Sequence, residues 1–423
     1  MAVTPAPAPA RANDFTSLGL PEAFLGALRK QGITEPLPIQ AMSIPDALAG
    51  RDVAGRAPTG SGKTLAFGLP MVARLTKGRS HRPSGLVLAP TRELAAQIAT
   101  AMAPLAKLRG LHVAAFYGGV GYHPQIKALQ RGCDIVVACP GRLEDLAASG
   151  HVNLSDVSFV VVDEADRMAD MGFLPAVRRI LDATRRDRQT LLFSATLDGD
   201  VDVLIRHYQN DPVRHEVTSN DDDLSRMEHR FMDVAHDQRV ATSASIITET
   251  GSTVIFVRTK HGADRLAKQL GKSGVSAVAI HGDRSQAQRE RALRQFQAGS
   301  AQAMVATDVA ARGIHVDDVA CVIHFDLPAD PKDYVHRSGR TARAGADGLV
   351  VALVTPETRK AAAALRHSLG LTSSTGNLSA EVAAGRTIAA APAPRPPARR
   401  GSTSNGPGGR RRRSHAPRGR DRA

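Results

Sequence analysis

Short apolar runs rich in β-branched residues alternate with amphipathic segments along most of the chain. In the first half, strand candidates lie at 85–90, 112–119, 134–140, 159–166 and 190–196. The segments between them predict helices, such as the one at 91–108. Strands that are apolar on both faces and are separated by helices indicate a parallel sheet covered on both sides.

The same pattern restarts after a polar break at 218–225. Further strand candidates lie at 253–259, 276–282, 303–309, 320–326 and 349–355, and an alanine-rich helix near 357–369 closes the pattern. We therefore predict an α/β protein with two parallel-sheet lobes in tandem. We place them at 14–217 and 226–370, with a linker at 218–225.

The two ends of the chain differ in composition from the lobes. Residues 1–13 contain an alternating proline and alanine run at 5–10, which favours an extended arm, and we predict that this arm is disordered. Residues 371–423 are rich in glycine, proline, serine and arginine, so we predict a disordered tail. The chain has a net charge of +14, of which 392–423 carry +9 through 10 arginines and one acid. Such a tail suggests a polyanionic partner.

Several protein classes are disfavoured. The 3 cysteines form no CxxC pair, which argues against structural disulfides and against a cysteine zinc site. No run approaches the roughly 18 consecutive apolar residues of a membrane span. The first residues lack the apolar core of a secretory signal. We predict a cytoplasmic protein without a membrane partner.

The strongest chemical signal is the segment 57–64, Ala-Pro-Thr-Gly-Ser-Gly-Lys-Thr. It ends as a phosphate-binding P-loop does, although Ala57 replaces the usual first glycine. Small residues let backbone N–H groups surround phosphate oxygens at a helix N-terminus. Lys63 would contact the β- and γ-phosphates and Thr64 would ligate Mg²⁺; a glycine-rich turn without such a role is the alternative. The candidate nucleotide ligands here are Thr59, Gly60, Ser61, Gly62, Lys63 and Thr64.

Two carboxylates follow another apolar run, at Asp163 and Glu164. A P-loop nucleotidase needs an acid at the carboxyl end of a strand to hold Mg²⁺, and Asp163 fits that position. Glu164 can orient and deprotonate the attacking water. Acids at strand ends are often helix caps, but two of them after a P-loop favour catalysis.

The tetrapeptide 163–166, Asp-Glu-Ala-Asp, resembles the signature of the DEAD-box family of ATP-dependent RNA helicases, and the resemblance covers residues 15–355. It implies RecA-like lobes and the cofactors ATP and Mg²⁺. Residues 32–40 resemble the family's adenine-reading element. This implies that Gln40 reads the adenine edge and that Phe15 stacks on the base. A loop glutamine and a core phenylalanine are the alternative.

Two further motifs carry implied roles. Ser194, Ala195 and Thr196 resemble the element that couples hydrolysis to strand separation. Residues 336–343 resemble the arginine-finger motif, in which Arg340 and Arg343 meet the γ-phosphate across the cleft between the lobes; His336 is a further catalytic candidate. A guanidinium at that position is typically worth about 10³–10⁵ in rate. The alternative for the first motif is that its hydroxyls are ordinary caps, and the alternative for the second is a basic helix face.

The resemblance also implies a set of RNA contacts. They are Pro90, Thr91, Arg92, Gly118, Gly119, Pro140, Gly141 and Arg142 in the first lobe, and Arg258, Thr259, Gln286, Arg289 and Thr307 in the second. All except the glutamine and its arginine neighbour lie at predicted strand ends, where open α/β sheets bind ligands. Hydroxyls, backbone amides and arginines can follow a phosphate–sugar chain without reading bases. We therefore expect RNA binding to be independent of sequence.

Some positions depart from the family pattern. Cys139 stands where threonine is usual, which weakens one expected phosphate contact, and His315 replaces an expected aspartate near the ATP ribose. Ser338 and Ala342 replace commoner residues of the finger motif but leave its charges intact.

Together these features predict an RNA-dependent ATPase that closes around ATP and one RNA strand and separates short duplexes locally. Its expected partners are single-stranded and short duplex RNA, including ribosomal or decay-associated ribonucleoproteins. An ATP-gated RNA clamp that anneals or remodels is one alternative. A DNA helicase or translocase is another, but the adenine-reading element and the DEAD tetrapeptide argue against it.

Overall fold

The computed structural model describes residues 14–58, 60–217, 227–311, 316, 319–341 and 348–371. The predicted arm at 1–13, the linker at 218–225 and the tail from 372 onward lie outside these residues. So do Thr59, Arg343 and the departures His315 and Ala342.

The first lobe is built on a parallel sheet with the strand order β3-β4-β2-β5-β6-β1-β7. Its strands are β1 (Val53–Arg56), β2 (Gly85–Leu88), β3 (Val113–Phe116), β4 (Ile135–Ala138), β5 (Phe159–Asp163), β6 (Gln189–Ser194) and β7 (Val213–Glu216). A 3-10 turn, Phe15–Leu18, precedes α1 (Glu22–Lys30), α2 (Pro38–Leu48), α3 (Lys63–Arg74), α4 (Arg92–Leu108), α5 (Tyr122–Gln130), α6 (Pro140–Ala148), α7 (Ala165–Asp170), α8 (Leu174–Asp182) and α9 (Gly199–Tyr208).

The second lobe repeats the architecture with the strand order β10-β11-β9-β12-β13-β8, again parallel. Its strands are β8 (Met227–Asp233), β9 (Thr253–Phe256), β10 (Ala277–Ile280), β11 (Ala303–Ala306), β12 (Cys321–His324) and β13 (Gly348–Val354). Its helices are α10 (Arg239–Thr250), α11 (Lys260–Lys272), α12 (Gln286–Gln297), α13 (Asp308–Ala311), α14 (Pro331–Ser338) and α15 (Arg359–Ser368), with a 3-10 turn at Pro356–Thr358.

Each sheet separates two apolar cores, because successive strand side chains point to opposite faces. In β2, Leu86 and Leu88 pack into one core of the first lobe, whereas Val87 packs into the other. Four of the five interior strands of the first sheet, β2, β4, β5 and β6, are buried along their whole length. This is the continuous apolar pattern from which the covered parallel sheet was predicted, and the prediction of two such lobes is confirmed.

Three strands were not predicted from the pattern, namely β1, β7 and β8. The first is only four residues long and ends in an exposed arginine. The other two lie at sheet edges: β7 alternates half-buried with exposed positions, and β8 mixes buried, half-buried and exposed ones. Their apolar signal is therefore weak in the sequence. The lobe boundaries stay predictions.

Strand order determines which loops meet. The loops after β5, β6 and β1 are neighbours at the carboxyl edge of the first sheet, and so are those after β3, β4 and β2. The first group carries the P-loop and the DEAD and Ser-Ala-Thr segments, and the second carries the predicted RNA contacts of this lobe. Among the helices that the structure describes, none has the length and hydrophobicity needed to cross a bilayer.

Candidate nucleotide and RNA site

The P-loop connects β1 to α3 and is held by its neighbours. The backbone N–H of Ala57 donates to the carbonyl oxygen of Ser194 at 3.0 Å, which ties the loop to the end of β6. Gly62 caps α3 with φ +85°, a left-handed conformation that favours glycine. A Cβ at Gly62 would also collide with the side-chain amide of Gln40, so no larger residue fits here.

Lys63 is buried at the start of α3. Its Nζ donates to the carbonyl oxygens of Ala57 at 3.0 Å and Pro58 at 3.2 Å, while Ser61 Oγ donates to Pro58 at 2.7 Å. An ammonium has three donors, so it can hold the loop and still reach a phosphate oxygen. The structure thus places the lysine inside the loop that it was predicted to serve.

The two carboxylates lie at the end of β5, as predicted. Asp163 is the last strand residue, and its Oδ1 accepts from the backbone N–H of Glu164 at 3.0 Å. Glu164 has φ +54°, a left-handed conformation that is uncommon for residues other than glycine. This sharp turn lets α7 begin at Ala165. Arg167 lies 3.5 Å from Glu164 Oε2 and balances its buried charge.

A Mg²⁺ ion would find oxygen ligands at Thr64 and Asp163. The described residues contain no cluster of three or more histidines, cysteines or acids that could hold a metal. Mg²⁺ suits such a site, because it usually keeps several waters and binds through one or two carboxylates plus substrate phosphates. The donor set therefore fits Mg²⁺ bound together with a nucleotide.

Ser194 connects the DEAD segment to the coupling segment. Its buried Oγ accepts from the backbone N–H of Asp166 at 3.2 Å and from that of Thr196 at 3.4 Å. Together with the bond from Ala57 to its carbonyl, this one residue touches the P-loop, the DEAD segment and the Ser-Ala-Thr loop. Ser194 therefore links the three segments by hydrogen bonds, and its role in coupling hydrolysis to strand separation stays a prediction.

The two predicted adenine contacts, Gln40 and Phe15, are both buried, and the reading of adenine by Gln40 stays a prediction. Gln40 Oε1 accepts from the backbone N–H of Leu37 and its Nε2 donates to the Gly62 carbonyl, each at 3.0 Å. One N–H and one lone pair remain, the set that an adenine edge needs. Phe15 is only 2% exposed and packs inside the first-lobe core, as in the alternative reading. Its stacking on a base stays a prediction.

Helix α14 brings the finger motif of the second lobe to the DEAD segment of the first. A small cleft is lined by Arg167 of the first lobe and by Asp308, His336, Arg337 and Arg340 of the second. Burial, and next the positive charge of Arg167, lower the pKa of His336, so this histidine is neutral at pH 7.

Arg337 was not among the predicted site residues, yet it orders the base of the finger motif. Its Nε and Nη2 donate to both carboxylate oxygens of Asp308 at 2.6 Å, and its Nη1 donates to the Asp326 carbonyl at 2.8 Å. Such a bidentate pair fixes α14 against the start of α13. Arg337 lies within the His-Arg-Ser-Gly-Arg motif, but its partner Asp308 lies 29 residues earlier in the chain and only the fold brings the two together.

The predicted RNA contacts of the first lobe lie on the neighbouring loops and helix starts that follow β2, β3 and β4. Thr91 caps α4 by accepting from the Leu94 N–H at 3.3 Å, and Arg92 lies so close over Gly119 that a Cβ there would collide with its guanidinium. Arg142 donates from Nη1 and Nη2 to the Val120 carbonyl, each at 3.2 Å. Pro90, Gly118, Pro140 and Gly141 border the same loops.

The contacts predicted for the second lobe separate into two groups. Arg258 and Thr259 are exposed at the end of β9, where Thr259 caps α11, and Thr307 follows the neighbouring β11. Gln286 and Arg289 are instead buried, and both contact Glu93 of the first lobe. Gln286 Nε2 lies 3.2 Å from Glu93 Oε1 and Arg289 Nη2 lies 2.9 Å from Glu93 Oε2.

Sequence reasoning missed Glu93, although it follows Pro90–Arg92 directly. An acid in the first turn of a helix is ordinary, since it complements the helix dipole. Only the arrangement of the lobes shows that Glu93 pairs with the side chains of Gln286 and Arg289 on α12. Lys332 and Asp170, 3.5 Å apart, form a second bridge between the lobes.

Comparison with known proteins decides the family. The family model described as "DEAD/DEAH box helicase" matches residues 37–204, and that described as "Helicase conserved C-terminal domain" matches 238–345. DEAD-box ATP-dependent RNA helicase 20 of Arabidopsis thaliana is 41% identical over 348 residues, which cover 80% of this chain and 70% of that protein. This chain belongs to the DEAD-box ATP-dependent RNA helicase family.

Two more relatives show how much of this DEAD-box chain is similar to known proteins. DEAD-box ATP-dependent RNA helicase 30 of Arabidopsis thaliana is 42% identical over 354 residues, or 82% of this chain, which spans only 60% of that protein's length. The solved structure of Saccharomyces cerevisiae Dbp5 bound to RNA and ADP BeF3 matches with a TM-score of 0.78 at 27% identity. The match covers 88% of this chain and 98% of Dbp5 in that structure.

Cys139, the departure nearest the RNA-contact residues, is a neutral thiol in this DEAD-box chain. Burial, followed by the negative charge of Glu93, raises its pKa to about 12. It is the N-cap of α6 but makes no side-chain capping bond there, whereas a threonine hydroxyl is a common cap. The expected weakening of one phosphate contact stays a prediction.

Proposed function

We propose that this chain hydrolyses ATP in response to RNA and uses the cycle to separate short RNA duplexes locally. The observation that carries the proposal is the pairing of the lobes. Arg167, which directly follows the DEAD segment of the first lobe, shares a cleft with His336 and Arg340 of the finger motif, and Glu93 joins the lobes through Arg289. The likeness to Dbp5, whose solved structure holds RNA and ADP BeF3, supports this arrangement as the closed one.

The proposed hydrolysis needs both lobes. Lys63 would neutralise charge on the β- and γ-phosphates, and Arg340 would stabilise charge on the transferring phosphoryl group. Glu164 would accept the proton of the attacking water. Asp163 and Thr64 would hold Mg²⁺, which draws charge from the phosphate oxygens. Because Arg340 belongs to the second lobe, hydrolysis requires closure.

RNA would promote closure by binding along both sheets. Its backbone would follow the carboxyl ends of β3, β4 and β2 and then those of β10, β11 and β9. The exposed Arg258 and Thr259 offer a guanidinium and a hydroxyl for phosphates without reading bases. An RNA strand that is bent between the lobes cannot remain paired in a duplex. ATP-driven closure would therefore separate a short RNA duplex locally. Hydrolysis would reopen the lobes and release the RNA.

The decisive experiment measures separation of a short labelled RNA duplex at limiting enzyme, with annealing of the released strands scored separately. We expect ATP-dependent separation by the wild type and none by Lys63→Ala. Annealing without separation would favour the alternative, an ATP-gated RNA clamp. Separation that proceeds equally without ATP would contradict the proposal.

Three finer statements belong to the proposal as well. RNA binding would be independent of sequence, and ribosomal or decay-associated ribonucleoproteins would be the setting. The compartment would be the cytoplasm, because Cys133, Cys139 and Cys321 are free thiols, which suit a reducing environment. RNA crosslinked to the protein in cells, when sequenced, tests the first two statements together.

A further inference from the structure

A groove follows one edge of the second lobe, and its lining contains none of the residues assigned to ATP or RNA. Strand β10 is the outermost strand of this sheet and pairs with β11 on one side, and no described strand pairs with its other side. The groove has a volume of about 600 Å³ and lies between α11 and α12. Its lining includes Ala277, Ala279, Asp264, Lys268 and Arg291.

The hydrogen bonds to β11 determine which backbone groups face the groove. The N–H of Ala303 donates to the Ser276 carbonyl at 3.0 Å, and that of Thr307 donates to the Ile280 carbonyl at 3.4 Å. In a parallel ladder, both backbone groups of one residue turn to the same neighbour, and those of the next residue turn the other way. Even-numbered residues of this strand therefore serve β11.

Ala277 and Ala279 accordingly direct their N–H and C=O groups outward. Two donors and two acceptors are thus presented in the alternating order that another strand requires. Both residues carry only a methyl group, so another backbone can approach closely. An exposed strand edge of this kind is a template for an added strand.

The rim of the groove is positively charged. Lys268 on α11 and Arg291 on α12 are exposed, and neither has a carboxylate partner among the described residues. Arg284 also lines the groove, but it is paired with Asp264 at 2.5 Å, so these two charges cancel. A cation therefore remains on each wall.

We propose that this groove docks an extended, acidic segment of a partner protein, which adds as a strand beside β10. The charges on both walls would attract carboxylates, while the outward groups of Ala277 and Ala279 would pair with the backbone of the segment. RNA fits less well, because a phosphate offers only acceptors and meets two outward carbonyls on the floor. The chain's own tail has 10 arginines and is repelled by the rim.

The test uses the full chain and a fluorescein-labelled peptide of about seven residues that carries glutamates at adjacent positions among valines, so that carboxylates point to both walls. Its length is about 23 Å at roughly 3.3 Å per residue. We expect saturable anisotropy with a Kd below about 1 mM, weakening as salt is added. The same peptide N-methylated at alternate residues, and its lysine-for-glutamate version, should each bind at least about tenfold more weakly.

Variants locate the binding. Ala279→Pro removes an outward N–H that no described strand uses, and proline is tolerated at such edge positions; it should weaken binding at least about tenfold. Arg291→Glu leaves the backbone intact and should weaken binding about tenfold, whereas the control Lys272→Glu, on α11 outside the groove lining, should not. If Ala279→Pro does not fold, this second pair decides alone.

RNA-stimulated ATPase activity should be unchanged in all three variants and serves as the check that they fold. The proposal is overturned if the peptide shows no saturable binding, or if the N-methylated peptide binds equally well. It is also overturned if a single-stranded RNA oligonucleotide displaces the peptide from the wild type, since the groove would then be an RNA site.

Discussion

Replacing Glu93 by alanine should weaken closure of the two lobes while leaving the fold of each lobe intact. Its side chain is only 4% exposed and that of Arg289 only 10%, so the ion pair at 2.9 Å is buried between the lobes. Gln286 donates to the same carboxylate at 3.2 Å. In Glu93→Ala, closure would bury the Arg289 guanidinium without its anion, whereas opening would return it to water.

The cost of that burial follows from the contacts. Removing one partner of a buried ion pair costs about 3–5 kcal/mol. The lower figure, about 3 kcal/mol, corresponds to a roughly 100-fold loss at about 1.4 kcal/mol per factor of ten. Glu93→Gln keeps an oxygen for Arg289 but no charge, and we expect about a tenfold loss, near the low end for hydrogen bonds to charged groups.

The assay is the affinity for labelled single-stranded RNA with a nonhydrolysable ATP analogue, which requires closure, compared with the affinity without nucleotide, which does not. Only the first should fall. Glu144→Ala is the matched control, because its pair with Arg179 is exposed and lies within one lobe, so it should change affinity less than about twofold.

A double-mutant cycle of Glu93→Gln and Arg289→Gln makes the test specific. Residues in direct contact should show a coupling energy above about 0.5 kcal/mol. If the two losses simply add, or if RNA affinity with the analogue is unchanged in Glu93→Ala, then this contact does not stabilise the closed arrangement.

Three shorter predictions follow from other contacts. Glu164→Gln should retain ATP and RNA binding but stall phosphate release, because the metal ligand Asp163 remains; hydrolysis at the wild-type rate would exclude Glu164 as the base. ATP should be turned over in preference to GTP at subsaturating concentration, because the O6 acceptor of guanine mispairs with Gln40 at a cost of about 1–3 kcal/mol; equal turnover would refute this assignment. Burial, and next the charge of Arg337, hold the pKa of His324 well below 6.5, so the unfolded chain takes up a proton that the folded chain does not. The contribution of neutral His324 to the free energy of unfolding is therefore complete above about pH 6.5. Below that pH it falls by up to about 1.4 kcal/mol per pH unit. In chemical denaturation, His324→Asn should lose less free energy of unfolding than the wild type between about pH 7 and pH 5.

Much of the fold could be predicted because buried parallel strands form continuous apolar runs. The run at 85–90 contains β2, and that at 349–355 overlaps β13. The edge strand β7 could not be predicted in this way, because its residues alternate between exposed and half-buried and its apolar content is low. A continuous apolar run marks a strand only where the strand is buried, so strands at sheet edges are the hardest to predict from sequence.

The site divides along a similar line. Lys63, Asp163 and Ser194 could be predicted because each ends or follows a strand within a short motif, and strand order brings the motifs together. Glu93 could not, because its role depends on a helix nearly two hundred residues away in the chain. Such contacts depend on the arrangement of two lobes, which local sequence does not encode.

The most direct test of the account measures steady-state phosphate release with and without saturating single-stranded RNA, in the wild type and in Arg340→Ala. If the active site is completed across the two lobes, RNA should stimulate the wild type strongly. Arg340→Ala should bind ATP but lose about 10³-fold or more in RNA-stimulated rate. Hydrolysis that is indifferent to RNA, or that continues at the wild-type rate in Arg340→Ala, would contradict a site shared between the lobes.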